Sequence, residues 1–313
     1  MDWDTRQLAA LAAVVTEGSF DAAAHVLHLT PSAVSQRVRA LESSVGTVLV
    51  RRTRPVEPTS PGRTLLRLAR QVELLGDEAA AELGPTESGD RPVTVPLAVN
   101  ADSLATWLVP ALAAVEGVCF DVHVADQDRT VDLLPAGVVM AAVTSRREPV
   151  QGCTSVPLGL TRYRPTASRE FAARWFPDGV TPRTLAAAPM VVFARSDDLQ
   201  DAWLRRVAHR AGAPVPAPPR HHVPSTAEFL SAIRHGLGWG MWGPLPRPGA
   251  GFDVLEPADD VVPLADETVD VPLHLQQWRL RSSVLDRVTD ALRTHARRAL
   301  PPVAPLSGAD AGT

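Results

Sequence analysis

Lysine is absent from the 313 residues, so all 31 basic side chains are arginines. Cysteine occurs twice and tyrosine once. With only Cys119 and Cys153, a disulfide-stapled scaffold is excluded, and neither has neighbours at metal-ligand spacing. Both sit amid apolar residues and are expected to be buried, reduced thiols. Long apolar runs are lacking as well. None reaches the roughly 18 residues that a bilayer crossing needs, and no signal peptide opens the chain, so a cytoplasmic location without a membrane partner is expected. Glycine-rich phosphate loops, nucleophile elbows and paired-histidine metal motifs are missing. No catalytic residue, metal site or cofactor is therefore assigned, and the chain is read as something other than an enzyme. His221-His222 lies among prolines without a second ligand cluster and is read as ordinary surface.

The rest of the composition, 45% hydrophobic and 21% charged, fits a soluble globular chain long enough for two or three domains. The net charge of −4 does not by itself suggest nucleic acid. Its distribution does. Between Val34 and Arg70, eight arginines (Arg37, Arg39, Arg51, Arg52, Arg54, Arg63, Arg67 and Arg70) stand against Glu42 and Glu57, a local +6. A basic stripe is the footprint that phosphate binding needs.

Periodicity predicts three short helices first. Leu8, Leu11, Ala12 and Val15 form an apolar stripe ended by Gly18. Ser19 can cap a second helix carrying Ala23, Ala24 and Leu27. Thr30, with Pro31 at the first position, can cap a third. This third helix carries Val34, Val38, Leu41 and Val45 on one face and Ser32, Ser35, Gln36 and Arg39 on the other, the pattern of a helix-turn-helix. Val48–Val50 and Val56–Thr59 read as short strands around the basic turn Arg51–Pro55, a wing. A long helix follows, with Leu65, Leu68, Val72, Leu75 and Ala79 as a coiled-coil-like seam that has no evident partner in its own chain and is assigned to dimerisation. The expected organisation is a DNA-binding domain over 1–59, a linker helix over 60–84 and a hinge over 85–91. An α/β domain over 92–302 has lobe I at about 92–161 and 268–302 and lobe II at about 162–267. A tail over 303–313 closes the chain. Strands are expected at Val93–Val99, Cys119–Val124, Val138–Val143, Pro189–Phe193, Gly238–Trp242 and Leu273–Trp278, alternating with helices and therefore layered.

The span from Ser19 to Gly62 resembles the DNA-binding domain of LysR-type transcriptional regulators. Ser19-Phe20 with Ala23-Ala24, the Thr30…Ser35 turn, Leu41-Glu42 followed by Gly46, Arg52, and Thr59…Gly62 carry the resemblance; Leu49-Val50 stands where the family usually has Leu-Phe. The resemblance implies an α/β fold class with an N-terminal winged helix-turn-helix, a long linker helix and a two-lobed effector-binding domain like that of periplasmic binding proteins. A shorter stretch, Val99 to Trp107, with Val143-Thr144 and Val223-Pro224-Ser225, is similar to the branch that senses lysine or arginine and controls basic-amino-acid export. It implies double-stranded DNA, a basic amino acid and, in some settings, RNA polymerase as partners, with homodimers that pair into tetramers.

For DNA, the candidates are Thr30, Pro31, Ser32, Ser35, Gln36 and Arg39 on the third helix and Arg51, Arg52 and Arg54 on the wing. Gln and Arg can bond base edges, and arginines can track phosphate. Arg63, Arg67 and Arg70 fit phosphate and solvent equally well. For the effector, residues after strand ends line the crevice of α/β layers. These are Asn100, Ala101, Asp102, Ser103 and Leu104, then Asp126, Gln127 and Asp128, then Thr144 and Ser145, with Ser225, Thr226 and Glu228 closing from the second lobe. The helix opening near Asp102 offers a nest for an α-carboxylate. Asp126 or Asp128 is expected to take the side-chain cation, and Asp102 or Glu228 the α-ammonium. Other readings are a nucleoid-coating protein of the same ancestry, a sensor of a different metabolite, a solute-binding protein and an enzyme.

Overall fold

Asp4 opens the first helix by accepting the backbone N–H of Arg6 at 2.8 Å. A computed structural model describes residues 3–83, 92–124, 130–243 and 260–303. Helix α1 (Thr5–Thr16) is followed by α2 (Phe20–Val26) and α3 (Pro31–Val45). Ser19 and Thr30 cap the latter two by accepting from Ala22 and Ala33, which satisfies amides that a helix start leaves orphaned. Leu8, Leu11 and Val14, Ala23 and Ala24, and Val34, Val38 and Leu41 meet in one core. Gly46, at φ +78°, ends α3 in the left-handed conformation that glycine tolerates.

Strands β1 (Val50–Arg51) and β2 (Glu57–Pro58) form the wing, and α4 (Ser60–Glu82) leaves it. Their junction explains several of the quoted motif residues. Glu42 reaches from α3 to accept the Leu49 N–H at 2.9 Å. Thr59 donates its hydroxyl to the Val48 carbonyl and accepts from the Gly62 N–H. A Cβ on Gly62 would stand 1.9 Å from the Leu49 oxygen, so only glycine lets α4 cross the strand there.

The remainder is built around two strands shared by both lobes. Strands β3 (Val93–Val99), β4 (Val118–Val124) and β5 (Ala141–Thr144) run parallel in the order β4-β3-β5. Between β3 and β4 lie α5 (Ala101–Ser103), a π-helical turn over Leu104–Leu108 and α6 (Val109–Ala113). Pro110 lacks an N–H for the Thr106 carbonyl and crowds it, and the helix widens just ahead of that point. Strand β6 (Cys153–Ser168) crosses into the second lobe. There follow α7 (Arg169–Trp175), α8 (Pro182–Ala187), β7 (Met190–Val192), α9 (Leu199–Ala211), β8 (Arg220–His222), α10 (Thr226–Arg234), β9 (Gly240–Trp242) and β10 (Val261–Pro263). Strand β11 (Val269–Trp278) returns antiparallel along β6 from Tyr163 to Cys153, and α11 (Ser283–Ala299) closes lobe I.

Several expectations need correction. No strand was expected over β6, which carries Pro157 and Gly159; the register shift at Leu273/His274 lies opposite them and absorbs the irregularity. The boundary expected at 161/162 falls inside that continuous strand. Cys119 is exposed, since β4 is the sheet edge; Cys153 is buried, and burial pushes its thiol up to about 11.

The linker helix also has partners in its own chain. Leu65, Leu66 and Ala69 are sealed in the N-terminal core, with Leu68 packed against it. Leu74 is buried beside Leu134, Trp278 and Leu285 of lobe I. Glu78 accepts from the Ser282 hydroxyl at 2.6 Å and the Val284 N–H at 2.9 Å, capping α11 from outside. A Cβ on Gly137 would meet the Arg67 nitrogen at 2.7 Å. Of the expected seam, Leu75 and Ala79 stay exposed and Val72 half-buried. The expected hinge at 85–91 and all but the first residue of the 303–313 tail lie outside the described residues.

Candidate functional site

The N-terminal domain presents a polar helix face beside a basic turn. Val34, Val38 and Leu41 point α3 into the core, which leaves Ser32, Gln36 and Arg39 exposed and Ser35 half-buried. Thr30 and Ser32 share a hydroxyl hydrogen bond of 3.0 Å at the helix start, with Pro31 exposed between them. On the wing, Arg51 pairs with Glu57 at 3.7 Å, Arg52 lies over the Phe20 ring at 5.1 Å, and Arg54 is exposed at the tip. Phe20 thereby orients one of the wing cations. Arg67 and Arg70 face elsewhere. Arg67 packs near Gly137 and Gly152 of lobe I, and Arg70 donates to Thr16 at 3.0 Å. Burial is the main reason that the Arg70 guanidinium is held below the usual arginine value.

The second candidate is a cleft of about 560 Å³ between the lobes, a size suited to a small metabolite. In lobe I it opens at the C-terminal ends of the three parallel strands. Asn100, Ala101 and Asp102 follow β3, Val124 ends β4, and Ser145 follows β5. The order β4-β3-β5 makes β3 the point where the strand order reverses, the place where α/β layers leave a crevice. Lobe II contributes Phe193 and the start of α9 (Asp197, Asp198, Gln200), Pro224 and Thr226 before and in α10, and Trp242-Gly243 after β9. Tyr163 of β6 and Val271 of β11 complete the wall.

Asp102 spans the lobes. One carboxylate oxygen accepts the Tyr163 hydroxyl at 2.6 Å, and the other accepts Thr226 at 3.0 Å. Desolvation, the largest effect, raises its pKa, and Asp197 adds to this; the two hydroxyls pull the other way without cancelling the shift. Both donors are neutral, so the charge is hydrogen-bonded but not neutralised by them. Asn100 is 3% exposed, and neither polar atom of its amide has a partner among the described residues. Buried amides are normally satisfied, so this one points to a ligand's donor and acceptor. Asp198 is paired with Arg205, and Asp197 accepts the Leu199 N–H at 3.0 Å. Among the described lining residues there are three aspartates and no arginine or histidine.

Of the expected effector residues, Asn100, Ala101, Asp102, Ser145 and Thr226 come together at this wall. Ser103 is buried just behind it with an unpartnered hydroxyl, and Leu104 packs into the lobe I core. Thr144 is fully buried and accepts the Arg146 N–H at 3.1 Å. Ser225 precedes α10 and donates its hydroxyl to Glu228, which faces solvent, instead of capping the helix; that bond is the main reason the Glu228 carboxyl lies below its usual range. Glu228 therefore does not reach the wall. Asp126, Gln127 and Asp128 lie outside the described residues. Sequence reasoning missed Tyr163, Asp197, Gln200 and Trp242. Asp197-Asp198 after the Pro189–Phe193 strand obeys the same strand-end rule and could have been found that way. His221 and His222 are exposed on β8, and no cluster of three metal-ligating side chains exists among the described residues. No described helix is long and apolar enough to cross a membrane.

Comparison with known proteins adds to this geometry. Residues 5–63 match the lysR family of bacterial regulatory helix-turn-helix proteins, and residues 92–300 match the LysR substrate binding domain. The chain is 47% identical over 293 residues to the HTH-type transcriptional regulator LysG of Mycobacterium tuberculosis, spanning 94% of this chain and 93% of that one. It is similar to the solved structure of ArgP from Mycobacterium tuberculosis, with a TM-score of 0.81 and 44% identity over 96% of this chain and 100% of that one. Full-length LysG from Corynebacterium glutamicum, solved with bound effector Arg, gives a TM-score of 0.71 and 36% identity, again over 96% of this chain and 100% of that one.

Proposed function

The chain belongs to the LysR family of DNA-binding transcriptional regulators, and on that premise we propose that its cleft senses a free basic amino acid, arginine or lysine. Its relatives are regulators and not enzymes. The observation that carries the amino-acid reading is the charge of the cleft wall: three aspartates face it with no basic side chain among the described lining residues. Asp198 is paired with Arg205, whereas Asp102 is buried and held by the neutral hydroxyls of Tyr163 and Thr226. A desolvated carboxylate is costly until a cation joins it. A neutral or acidic ligand would add to that cost, and a basic amino acid lowers it.

In this reading Asp102 takes the α-ammonium. The amide of Asn100, together with the free N–H groups at the helix start, takes the α-carboxylate. The ligand bound to the LysG relative, arginine, has this chemistry.

Binding is coupled to the operator in the cytoplasm. Ser32, Ser35, Gln36 and Arg39, after the Thr30–Pro31 helix start, read base edges, while Arg51, Arg52 and Arg54 hold phosphate or the minor groove. Pairing through the part of the linker seam that its own core does not seal, the exposed Leu75 and Ala79 with the half-buried Val72, sets two such domains on successive half-sites, and pairing through the sensor domains gives tetramers. The controlled promoter is that of an amino-acid exporter, with RNA polymerase as a further partner. Calorimetry tests the ligand: arginine or lysine binds in the micromolar-to-millimolar range and changes the operator footprint. Heat from an acidic or aromatic metabolite, with none from either basic amino acid, would refute the assignment and leave the regulator itself untouched.

A further inference from the structure

We infer that Gln200 and Asp197, at the start of α9 in lobe II, form the subsite that reads the charged end of the ligand's side chain, an inference that rests on the amino-acid reading above. Gln200 is 1% exposed and lines the cleft. Its Nε2 donates to the Val191 carbonyl at 3.3 Å. That bond sets the orientation of the amide, because a flipped amide would bring two oxygens together. Oε1 is left buried without a partner among the described residues. An acceptor locked in place and orphaned at a cavity wall calls for an N–H donor from a ligand.

Asp197 stands three residues earlier in the same turn. Its carboxylate is positioned by the N–H groups of Phe193, at 3.4 Å, and Leu199, at 3.0 Å. The cleft thus has Asp102 on lobe I and Asp197, beside the Arg205-paired Asp198, on lobe II. A basic amino acid carries two cations separated by a methylene chain. The same wall carries the aromatic rings of Phe193, Tyr163 and Trp242. That surface suits the methylenes and the face of a guanidinium. A guanidinium has donors enough to bond Gln200 Oε1 and the Asp197 carboxylate together; an ammonium is a single point charge with a weaker claim on the amide. Gln200 therefore favours arginine over lysine, and Asp197 favours either over a neutral side chain.

The test is calorimetry on the full-length protein with four ligands: arginine, its neutral isostere citrulline, lysine, and norleucine, which lacks the side-chain ammonium. The wild type should prefer each cation over its neutral analogue by about 10-fold or more. Asp197→Asn should shrink both preferences to within about 3-fold. Gln200→Met should weaken arginine by about 10-fold and lysine less. Wild type that binds citrulline and norleucine as tightly as arginine and lysine overturns the inference without recourse to any variant, so a variant that misfolds cannot protect it. Preferences that survive in folded Asp197→Asn and Gln200→Met overturn the inference alone and leave the amino-acid reading intact. No binding of any basic amino acid to wild type overturns both.

Discussion

Asp102→Asn should weaken the ligand and strengthen the unliganded protein. The substitution preserves shape. The two hydroxyls on the carboxylate, Tyr163 at 2.6 Å and Thr226 at 3.0 Å, can each donate or accept, so an amide can remake both bonds. What is lost is the charge. For the ligand, a charge-assisted bond to the α-ammonium becomes a neutral one, a loss of about 1.4–2.7 kcal/mol, or roughly 10- to 100-fold in Kd. For the unliganded protein the change runs the other way. Desolvation raises the Asp102 pKa above its unfolded value, so the folded state binds the extra proton. Its contribution to stability is full below the unfolded pKa and is lost as pH rises through the raised folded value. Asparagine has no such loss, so the variant should gain on wild type as pH rises through that window. Cation binding favours the ionised form. Arginine affinity of the wild type should therefore fall, with proton release on binding, as pH drops through the raised value, and Asp102→Asn should lose that dependence. Calorimetry between about pH 5 and 8 in buffers of different ionisation enthalpy counts the protons, and thermal melts follow stability. A variant that binds arginine within about 3-fold of wild type, or that is less stable at neutral pH, would show that Asp102 is a structural latch instead of a ligand anchor.

Three further outcomes follow from the geometry. Gln36→Ala should relax base preference at a cost of about 1–3 kcal/mol, whereas Arg54→Ala should weaken all DNA and flatten the salt slope; titrations at several salt concentrations check this, and wild-type operator affinity in both would mean that another face docks. Glu78→Ala removes the acceptor for Ser282 and Val284 and should destabilise the lobe I transition by about 1–3 kcal/mol, Glu78→Gln by less, in urea unfolding; unchanged midpoints would count against the cap. Leu75→Arg, chosen because Leu75 is exposed where Leu65 and Leu68 serve their own domain's core, should yield monomers with little operator affinity; a dimer by ultracentrifugation would move the interface elsewhere.

Much of the N-terminal domain could be read from the chain because its determinants are local. Thr30 with Pro31, Gly46, and Thr59 with Gly62 act within one or two turns, so a cap, a left-handed stop and a close crossing each leave a mark at fixed spacing. Strand β3 and helix α11 were legible for the same reason: seven residues of strand pattern and a clean apolar stripe decide those conformations nearby. The strand-end rule brought Asn100, Asp102 and Ser145 to the cleft, because a parallel sheet opens there, and Thr226 meets them from a helix start in the second lobe. Tertiary structure decided the rest. Strand β6 carries Pro157 and Gly159, and only its pairing with β11 across a register shift makes it one continuous strand and sets Tyr163 against Asp102. The orphaned acceptor of Gln200 depends on the Val191 carbonyl, and the burial of Leu74 depends on lobe I closing over the linker helix. Glu228 satisfied every local criterion and still faces solvent. Sequence spacing places a residue on an element, but which face of that element meets the other lobe depends on burial summed over residues more than a hundred positions apart.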